Sequence, residues 1–535
     1  MPGRLAVDFG TSNTVVAVWD ESLREGVPLH IPDYGRQIQY RRGKEGDEQI
    51  SVVPSLIHYG QGSRRWLGQQ VLSQSLYGSK RTFRWMKRYI ADRSPVKVRV
   101  DGRDVSHRQA GRDFLSAILS GASAEAGVGH EEVAFTVPVE AFEHYEDWLT
   151  GVAEAAGMPR FRLIDEASAA ALGYGAPIQP GDVYLIFDFG GGTLDLSVVL
   201  MEEDAGQATG RRCRVLGKAG ADVGGATIDG LLFQEVLRQN GRGDADEDVR
   251  QVSRALLVAC EDAKERLSFE ERAEIRVAHP RGGPELAATV TQQRFEALLD
   301  DHQVFTQIDH TLRRALNEAR ERGYAEEQIK AVLMVGGSSL IPSVQHMVQR
   351  IFSRDRVMLK RPLDAIARGA AAFVAGVDFY DHIQHDYAIR YVDPDKGDYQ
   401  YRPLVQRGTP YPTREPVARI VVKASHDGQA ELGIAIFEMA ERRRHGGGQP
   451  VELVFDPSGA ARVHHVTPDE EDGRHLFWIN EHNPTFLHAD PPGRQGEPRF
   501  EVEFGIDANK RLLITARDLK TGRTLLRDQA VVKLT

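Results

Sequence analysis

The feature that most restricts the fold is a pair of similar segments far apart in the chain. Residues 5–18 read Leu-Ala-Val-Asp-Phe-Gly-Thr-Ser-Asn-Thr-Val-Val-Ala-Val, and residues 185–199 read Leu-Ile-Phe-Asp-Phe-Gly-Gly-Gly-Thr-Leu-Asp-Leu-Ser-Val-Val. Each has an apolar strand, the triplet Asp-Phe-Gly, a turn of small residues and a second apolar strand, which is typical of a β-hairpin with a tight polar tip. This duplication predicts two related lobes that face each other.

Both predicted tips carry the residue types that a nucleotide and its Mg²⁺ require. Asp8 precedes the turn 10–13, and Asp188 precedes the turn 190–193, with Asp195 just beyond it. Glycine and small hydroxyl residues let backbone N–H groups approach phosphates, and carboxylates hold a hydrated metal ion. One such tip could be an ordinary tight turn, but two related tips favour a phosphate site. Neither is a Walker A loop, because no Gly-Lys-Ser/Thr follows.

A third segment, 335–339, ends an apolar strand with paired glycines ahead of Pro342. Such a turn could let a flat adenine lie against the backbone. Taken alone, it is equally compatible with a plain connection between a strand and a helix.

The remaining pattern predicts an α/β part followed by an all-β part. With 535 residues the chain is too long for one core. Helical spacing predicts helices over 108–127, 140–157, 245–268, 291–323 and 362–376, with strands at 132–137 and 330–335. Beyond 378, turn residues and short alternating runs predict a β-sandwich. Its expected strands are 402–407, 417–424, 429–437, 450–455, 499–506, 510–517 and 524–534, with loops at 440–448 and 484–498. The expected domains are a two-lobed α/β domain over 1–378, a linker over 379–398 and the sandwich over 399–535.

Composition narrows the class of protein. A net charge of -10 argues against nucleic acid as a partner, because phosphate backbones require a basic surface. Two cysteines without metal-ligand spacing favour a reducing compartment. We find no signal peptide and no apolar run near the roughly 20 residues that span a bilayer. The sequence therefore predicts a cytoplasmic protein that does not bind membranes.

Several motifs together resemble a known family. The segments at 8–13, 188–193 and 335–338 resemble the two phosphate motifs and the adenosine motif of the actin-like ATPase superfamily. Val137-Pro138, 165–172 and 259–268 are similar to segments of the DnaK-type, seventy-kilodalton heat-shock chaperones. In the β part, 505–509 and 515–518 resemble the end of that family's peptide-binding domain. The resemblance covers nearly the whole chain and implies an actin-like ATPase domain followed by a peptide-binding-like β-domain.

The resemblance implies a role for each matching residue. Lys87 aligns with the catalytic lysine, with Lys80 as the substitute candidate, and Glu166 and Asp195 would arrange ions and the attacking water. Asp8 and Asp188 would complete the catalytic set and hold Mg²⁺, mainly through water. The expected nucleotide-binding residues are Gly10, Thr11, Ser12, Asn13, Gly190, Gly191, Gly192, Thr193, Gly224, Gly225, Glu261, Lys264, Ser268, Gly336, Gly337, Ser338 and Asp364. Asp364 could equally cap the helix that follows it.

The β-domain has an implied site as well. Leu432 aligns with a position that lines a pocket for an apolar side chain of a bound peptide, and Ile434 lies on the same face of the strand. Because strand residues alternate between faces, both side chains could equally belong to the sandwich core. The family's helical lid is not found before Thr535. We therefore expect a lid-less β-domain that binds peptides weakly and exchanges them rapidly.

The function implied by the resemblance is that of an ATP-dependent chaperone. Its cofactors would be ATP or ADP and Mg²⁺, with K⁺ as an additional ion. Its partners would be unfolded client segments, a J-domain co-chaperone and a nucleotide exchange factor. The family's arginine after Pro138 is missing, since 139–159 contains no Arg or Lys, which predicts weak interdomain coupling. The alternative function is an ATP-regulated adaptor that binds one dedicated partner rather than many apolar peptides.

Overall fold

The computed structural model divides the chain into two compact units. The first takes residues 1–139, 147–380 and 443–466, and the second takes 140–146, 381–442 and 467–535. The structure describes residues 4–41, 47–127, 132–138, 143–158, 160–174, 181–203, 211–279, 282, 285–375, 379–380, 383, 385–392, 399–409, 411, 413, 415–439, 451–455, 461–465, 476–481, 484–507 and 511–534.

The first unit contains the α/β part of the chain. Its strands are β1 (Leu5–Phe9), β2 (Asn13–Asp20), β3 (Glu25–Pro28), β4 (Arg36–Arg41), β5 (Asp47–Pro54), β6 (Ile57–Tyr59), β7 (Arg65–Leu67), β8 (Thr82–Phe83), β9 (Lys97–Val100), β10 (Arg103–Ser106), β11 (Val133–Val137), β12 (Phe161–Asp165), β13 (Val183–Phe189), β14 (Leu194–Glu203), β15 (Arg211–Ala221), β16 (Arg272–Val277), β17 (Leu286–Thr291), β18 (Ile329–Val335), β19 (Val357–Met358) and β20 (Phe379–Tyr380). The helices are α1 (Gln69–Ser73), α2 (Met86–Ala91), α3 (His107–Ala126), α4 (Glu143–Ala155, which begins in the second unit), α5 (Glu166–Gly173), α6 (Gly225–Gln239), α7 (Glu247–Leu267), α8 (Gln292–Asp301), α9 (Val304–Glu321), α10 (Pro342–Phe352) and α11 (Ala365–Val374). Short 3₁₀ turns cover Glu326–Gln328 and Gly337–Leu340.

The two duplicated segments occupy equivalent places in two sheets. In the first sheet, ordered β12-β11-β1-β2-β5-β4 with β3 on β2, β1 pairs antiparallel with β2 and parallel with β11. In the second, ordered β19-β18-β13-β14-β15-β20, β13 pairs antiparallel with β14 and parallel with β18. Each Asp-Phe-Gly triplet therefore lies at the end of a strand that has one parallel and one antiparallel neighbour, which agrees with the predicted duplication.

Buried apolar strands explain why both sheets are internal. All five residues of β1 are buried, as are all but one of β13, which is typical of strands covered on both faces. Helix α11 lies in the chain between β19 and β20 of the second sheet but packs against β1, β2, β3 and β11 of the first. It also packs closely against α5. The chain thus returns to its first sheet with α11 before β20 adds to the second.

Most of the predicted helices are found within a few residues of their expected bounds, but 291–323 is not one helix. It divides into α8 and α9, because Gln303 adopts a left-handed conformation with φ of 59°. The apolar spacing is helical on both sides of this residue, so periodicity alone does not reveal the break.

The second unit is rich in β-structure. Its strands are β21 (Asp386–Val392), β22 (Tyr399–Val405), β23 (Ala418–Lys423), β24 (Gln429–Ile434), β25 (Ile436–Met439), β28 (Leu476–Trp478), β29 (Thr485–Gly493), β30 (Pro498–Ile506), β31 (Arg511–Asp518) and β32 (Thr524–Lys533), while the hairpin β26 (Val451–Phe455) and β27 (Ala461–His465) groups with the first unit. The sheets are ordered β22-β21-β25-β28 and β23-β30-β31-β32, with β24 paired to β29. One apolar core contains residues of both four-stranded sheets, including Ile389 and Phe500.

Two expectations for this part of the chain need correction. Strand β21 lies inside the predicted linker 379–398 and pairs with β22 and β25. Strand β29 lies inside the predicted loop 484–498 and pairs with β24. Its Pro and Gly residues fall at the end of the strand, where a missing N–H donor matters least. The arginine-containing loop at 440–448 and the predicted domain boundary at 378 lie largely outside the described residues.

Among the helices that the structure describes, none is both long and apolar enough to cross a membrane.

Candidate functional site

The tips of the two duplicated hairpins meet in the first unit. A Cβ atom added to Gly191 would lie 2.4 Å from Ser12 Oγ, and one added to Gly192 would lie 3.1 Å from Thr11 Oγ1. Ser55 makes two hydrogen bonds to the first tip. Its hydroxyl donates to Gly10 O at 2.8 Å, and its N–H donates to Ser12 O at 2.9 Å. The structure therefore brings the two predicted phosphate motifs together.

Two further segments contact the second tip. At the start of helix α6, the N–H of Gly225 donates to Gly190 O at 3.0 Å, and the next N–H donates to Gly191 O at 2.7 Å. Ser338, from the predicted adenosine motif, donates its hydroxyl to Gly190 O at 2.8 Å. Gly224 is the N-cap residue of α6. The predicted turn at Gly224 and Gly225 and the predicted residue Ser338 therefore lie next to the second tip.

Lys87 lies beside the carboxylates of the site. Its Nζ donates to Glu166 Oε1 at 2.5 Å, and both side chains are largely buried. Helix α2 presents the lysine, and Glu166 begins helix α5 directly after strand β12. Lys80, the substitute candidate, is exposed to solvent. Of the two lysines, the geometry favours Lys87.

The other carboxylates of the site are Asp8, Asp188 and Asp195, and two of them accept a hydrogen bond from a threonine hydroxyl. Thr136 Oγ1, at the end of β11, donates to Asp8 Oδ1 at 2.7 Å. Thr193 Oγ1 donates to Asp195 Oδ2 at 2.6 Å across the second tip. Asp188 and Asp195 are directly opposed in the β13–β14 register. Their side chains therefore share one side of the hairpin.

These groups form one electrostatic cluster. Burial raises the pKa of Asp8 above its ordinary value, and the Lys87 ammonium opposes the shift. Burial likewise raises the pKa of Glu166, with Lys87 lowering it and Asp8 raising it. Burial, followed by the charges of Glu166 and Asp195, raises the pKa of Asp188 well above its ordinary value. Four carboxylates around one lysine carry excess negative charge, which suits a divalent cation.

A second polar cluster lies where the nucleoside was predicted to bind. Lys264 Nζ pairs with Asp229 Oδ1 at 2.7 Å and donates to Gly225 O at 3.1 Å. Glu261 Oε2 accepts a short hydrogen bond from the Tyr77 hydroxyl. Ser268 is the C-cap residue of helix α7, and its hydroxyl donates to Lys264 O at 3.4 Å. Lys264 therefore lies next to the start of α6, which itself contacts the tip of the second hairpin.

Burial raises the pKa of Asp229 to about 7, and Lys264 opposes this shift. For Lys264 burial works against the charge, but the Asp229 and Glu261 carboxylates outweigh it and hold the pKa above its ordinary value. The pair is thus a buried salt bridge whose carboxylate binds a proton more readily than an exposed one.

Some predicted site residues have other surroundings. Asp364 is buried at the N-cap position of α11, where its carboxylate pairs with Arg368 and makes no capping hydrogen bond. Asn13 Oδ1 accepts from Arg36 Nη2 at 3.4 Å. Leu432 and Ile434 belong to the second unit, are 2% and 1% exposed, and pack in its core. A contact of either one with a peptide stays a prediction.

Sequence reasoning missed three residues of the site: Thr136, Tyr77 and Asp229. A signal existed for Asp229, because a single acid interrupts the apolar run of α6 from Ile228 to Phe233. Such an acid is rarely buried without a partner. No local pattern identifies Tyr77 as the partner of Glu261, because 184 positions separate them.

Comparison with known proteins identifies the family. The model of the family described as Hsp70 protein matches residues 5–445. "Chaperone protein DnaK" of Deinococcus proteolyticus is 26% identical over 558 aligned positions, which cover 98% of this chain and 78% of that protein. The family match includes both hairpin tips, Lys87, the α7 residues and the turn at Gly336. The chain therefore belongs to the Hsp70 family.

Proposed function

We propose that this protein is an ATP-dependent chaperone whose first unit binds ATP or ADP with Mg²⁺ and hydrolyses ATP slowly. The observation that carries the proposal is the meeting of the two hairpin tips beside Lys87 and the carboxylate cluster. Small-residue tips suit phosphate oxygens, and the cluster suits the cation that accompanies them. Similarity to a chaperone protein over 98% of the chain supports the same conclusion.

Asp8 and Asp188 would hold the Mg²⁺ ion mainly through its water molecules. In the part of the chain that the structure describes, no group of three or more His, Cys, Asp or Glu side chains forms a direct metal cage. Mg²⁺ usually keeps several waters and uses one or two protein carboxylates together with the phosphates. When bound, the ion would neutralise charge on the phosphates of the nucleotide.

The remaining side chains have distinct proposed tasks. Lys87 would stabilise negative charge on the transferred phosphoryl group, because a buried ammonium acts strongly where charge develops. Glu166 fixes the Lys87 ammonium through their 2.5 Å contact. Asp195, itself oriented by Thr193, would help to orient the attacking water. Lys264, Glu261 and Ser268 would bind the nucleoside.

Replacement of Lys87 tests this assignment. We expect Lys87→Ala to lower the rate of ATP hydrolysis by a factor of about 100 or more, with the affinity for Mg·ADP changed only a few-fold. The lysine acts chiefly on charge that develops in the transition state. Single-turnover hydrolysis and titration calorimetry measure the two quantities. Lys80→Ala is the matched control and should hydrolyse ATP normally. Normal hydrolysis by Lys87→Ala would contradict the assignment.

The second unit would bind apolar segments of client proteins. It is a β-rich body, and an extended peptide can pair with the edge or loops of such a body. Because Leu432 and Ile434 are buried, a client side chain would reach them only if the core opened. This burial favours keeping the second candidate, an adaptor that recognises one partner through a fixed surface. A J-domain protein and a nucleotide exchange factor remain proposed partners of the first unit.

A further inference from the structure

The Tyr77–Glu261 hydrogen bond connects two distant parts of the first unit at the nucleoside site. Tyr77 lies in the segment between helices α1 and α2, and Glu261 lies on helix α7. The same segment is attached to α7 at a second point, because Arg254 Nη1 donates to Ser79 O at 2.5 Å. The phenol therefore reaches Glu261 from a segment that is itself fixed on the helix.

The ring of Tyr77 is also held in place. The Arg84 guanidinium lies 5.2 Å from the centre of the Tyr77 ring and 4.2 Å from that of Trp85. Arg84 is 7% exposed, and a desolvated cation over an aromatic face is attracted by the ring. Burial and the Glu261 charge raise the pKa of Tyr77 well above its ordinary value. The phenol thus stays protonated and acts as a hydrogen-bond donor at any physiological pH.

Lys264, which lies on the same helix as Glu261, makes its own hydrogen bonds to other groups. Its ammonium is hydrogen-bonded to Asp229 and to Gly225 O, whereas the Tyr77 hydroxyl donates directly to Glu261 Oε2. A carboxylate has two oxygens, each able to accept more than one hydrogen bond. With Oε2 bound to the phenol, the carboxylate is fixed as an acceptor for hydroxyl groups of a ligand.

We propose that Tyr77 is a positioning residue that holds Glu261 for the ribose hydroxyls and thereby makes the site prefer ribonucleotides to deoxyribonucleotides. This inference rests on the proposed nucleotide-binding function. A site built to accept hydrogen bonds from a substrate hydroxyl discriminates against an analogue that lacks it. The discrimination is strongest when the acceptor is already oriented, since no freedom is then lost on binding.

The test is titration calorimetry of the full chain with Mg·ADP, Mg·2′-deoxy-ADP and Mg·3′-deoxy-ADP. We expect the parent protein to bind ADP at least about tenfold more tightly than one of the deoxy forms, as befits a hydrogen bond to a charged group. Tyr77→Phe should weaken the binding of ADP several-fold and change the binding of that deoxy form little. The ratio of the two affinities should therefore move towards one. In a Glu261→Ala background, the same substitution should no longer change the ratio.

Tyr59→Phe is the matched control. Tyr59 also donates to a carboxylate, Asp113 Oδ2 at 2.8 Å, so the control removes an equivalent hydrogen bond elsewhere in the unit and should leave the ratio unchanged. Thermal denaturation establishes that each variant is folded. An unchanged ratio in Tyr77→Phe, or an equal effect on ADP and the deoxy forms, would overturn the inference. Absence of any nucleotide binding by the parent would instead overturn the proposed function.

Discussion

Gly336 connects strand β18 to the turn that carries Ser338, with φ of 82°. A Cβ atom here would lie 2.4 Å from Phe189 O and 2.6 Å from Asp188 Oδ1. We expect Gly336→Ala to lower the free energy of unfolding of the first unit by about 1–3 kcal/mol and to weaken Mg·ADP binding, because it displaces a carboxylate of the cluster. Thermal denaturation and calorimetry measure both effects.

Gly337→Ala is the control for this substitution. The nearest atom to a Cβ at 337 is Leu363 Cδ2 at 3.8 Å, which is an ordinary contact. The control should retain stability, since the added methyl group meets only this ordinary contact. Equal effects of the two substitutions would show that the conformation at Gly336 has no special role.

Asp229 makes stability depend on pH in a defined direction. Its pKa lies at about 7 in the folded protein and at 3.8 ordinarily, so between these values the folded state retains a proton that the unfolded state releases. The free energy of unfolding therefore falls as pH rises through this window. Asp229→Asn should reduce the slope by up to about 1.4 kcal/mol per pH unit.

The measurement is the denaturation midpoint of the first unit at several pH values from 4 to 8, for parent and variant. Near pH 4 the parent carboxyl is protonated and asparagine is its neutral isostere, so the difference in slope between pH 4 and 7 is the diagnostic quantity. Parallel curves for the two proteins would contradict the prediction.

Among single residues of the site, the sequence predicts those whose role depends on a short motif. It misses those whose role depends on contacts with residues far away in the chain. Lys87, Glu166 and Asp188 are recognisable because each lies in a short motif, and the structure does bring them together. The pairing of Glu261 with Tyr77 depends on how two distant segments pack. For Asp229 the sequence offers only an acid that interrupts an apolar run, and it does not identify the partner Lys264 on the next helix.

At the scale of elements, helices α5 and α11 approach each other through a pair of glycines. A Cβ atom on Gly369 would lie 1.8 Å from Ala169 O, and one on Gly173 would lie 1.7 Å from Ala365 O. Gly369→Ala should therefore push the helices apart and cost about 1–3 kcal/mol of stability. Because Glu166 begins α5, hydrolysis should fall as well.

Gly151→Ala in helix α4 is the control for this change. No atom lies within 4 Å of a Cβ at that position, so the higher helix propensity of alanine should stabilise the protein by up to about 1 kcal/mol. Thermal denaturation and a steady-state hydrolysis assay compare the two variants. A neutral effect of Gly369→Ala would show that the helices can separate without cost.

The elements themselves are largely predictable, and the errors have physical causes. Periodicity predicts α3 and α7 because each buries one regular apolar face, and continuous apolar runs predict β1 and β13 because these strands are buried on both faces. It misses the break at Gln303, where one left-handed residue separates two regular helices. It also misses β21 in the expected linker, because strand pairing there depends on distant partners, and β-propensity reflects such context.

At the scale of the whole molecule, the site and the proposed client-binding body fall in different units. A ligand that binds only the folded first unit stabilises that unit by mass action, by about 2.7 kcal/mol at a concentration of 100 times Kd. Differential scanning calorimetry should therefore show one transition, assigned to the first unit, whose temperature rises with the concentration of Mg·ADP. Lys87→Ala should keep this shift, since it retains binding.

The second unit provides the internal reference for that experiment. Its apolar core is built from its own strands, so a transition that belongs to it should move less with the nucleotide. If Mg·ADP raised the temperature of every transition equally, the two units would unfold as one cooperative body. The prediction that each unit has its own stability would then be wrong.

The meeting of Ser12 and Gly191 has a consequence for how this protein can change over generations. The two positions lie in different copies of the duplicated segment, yet a methyl group on Gly191 would lie 2.4 Å from the Ser12 hydroxyl. A side chain at position 191 therefore requires the Ser12 hydroxyl to rotate away or to be absent. In a library that randomises both codons and is selected for ATP hydrolysis, alanine at 191 should therefore occur more often with glycine than with serine at 12.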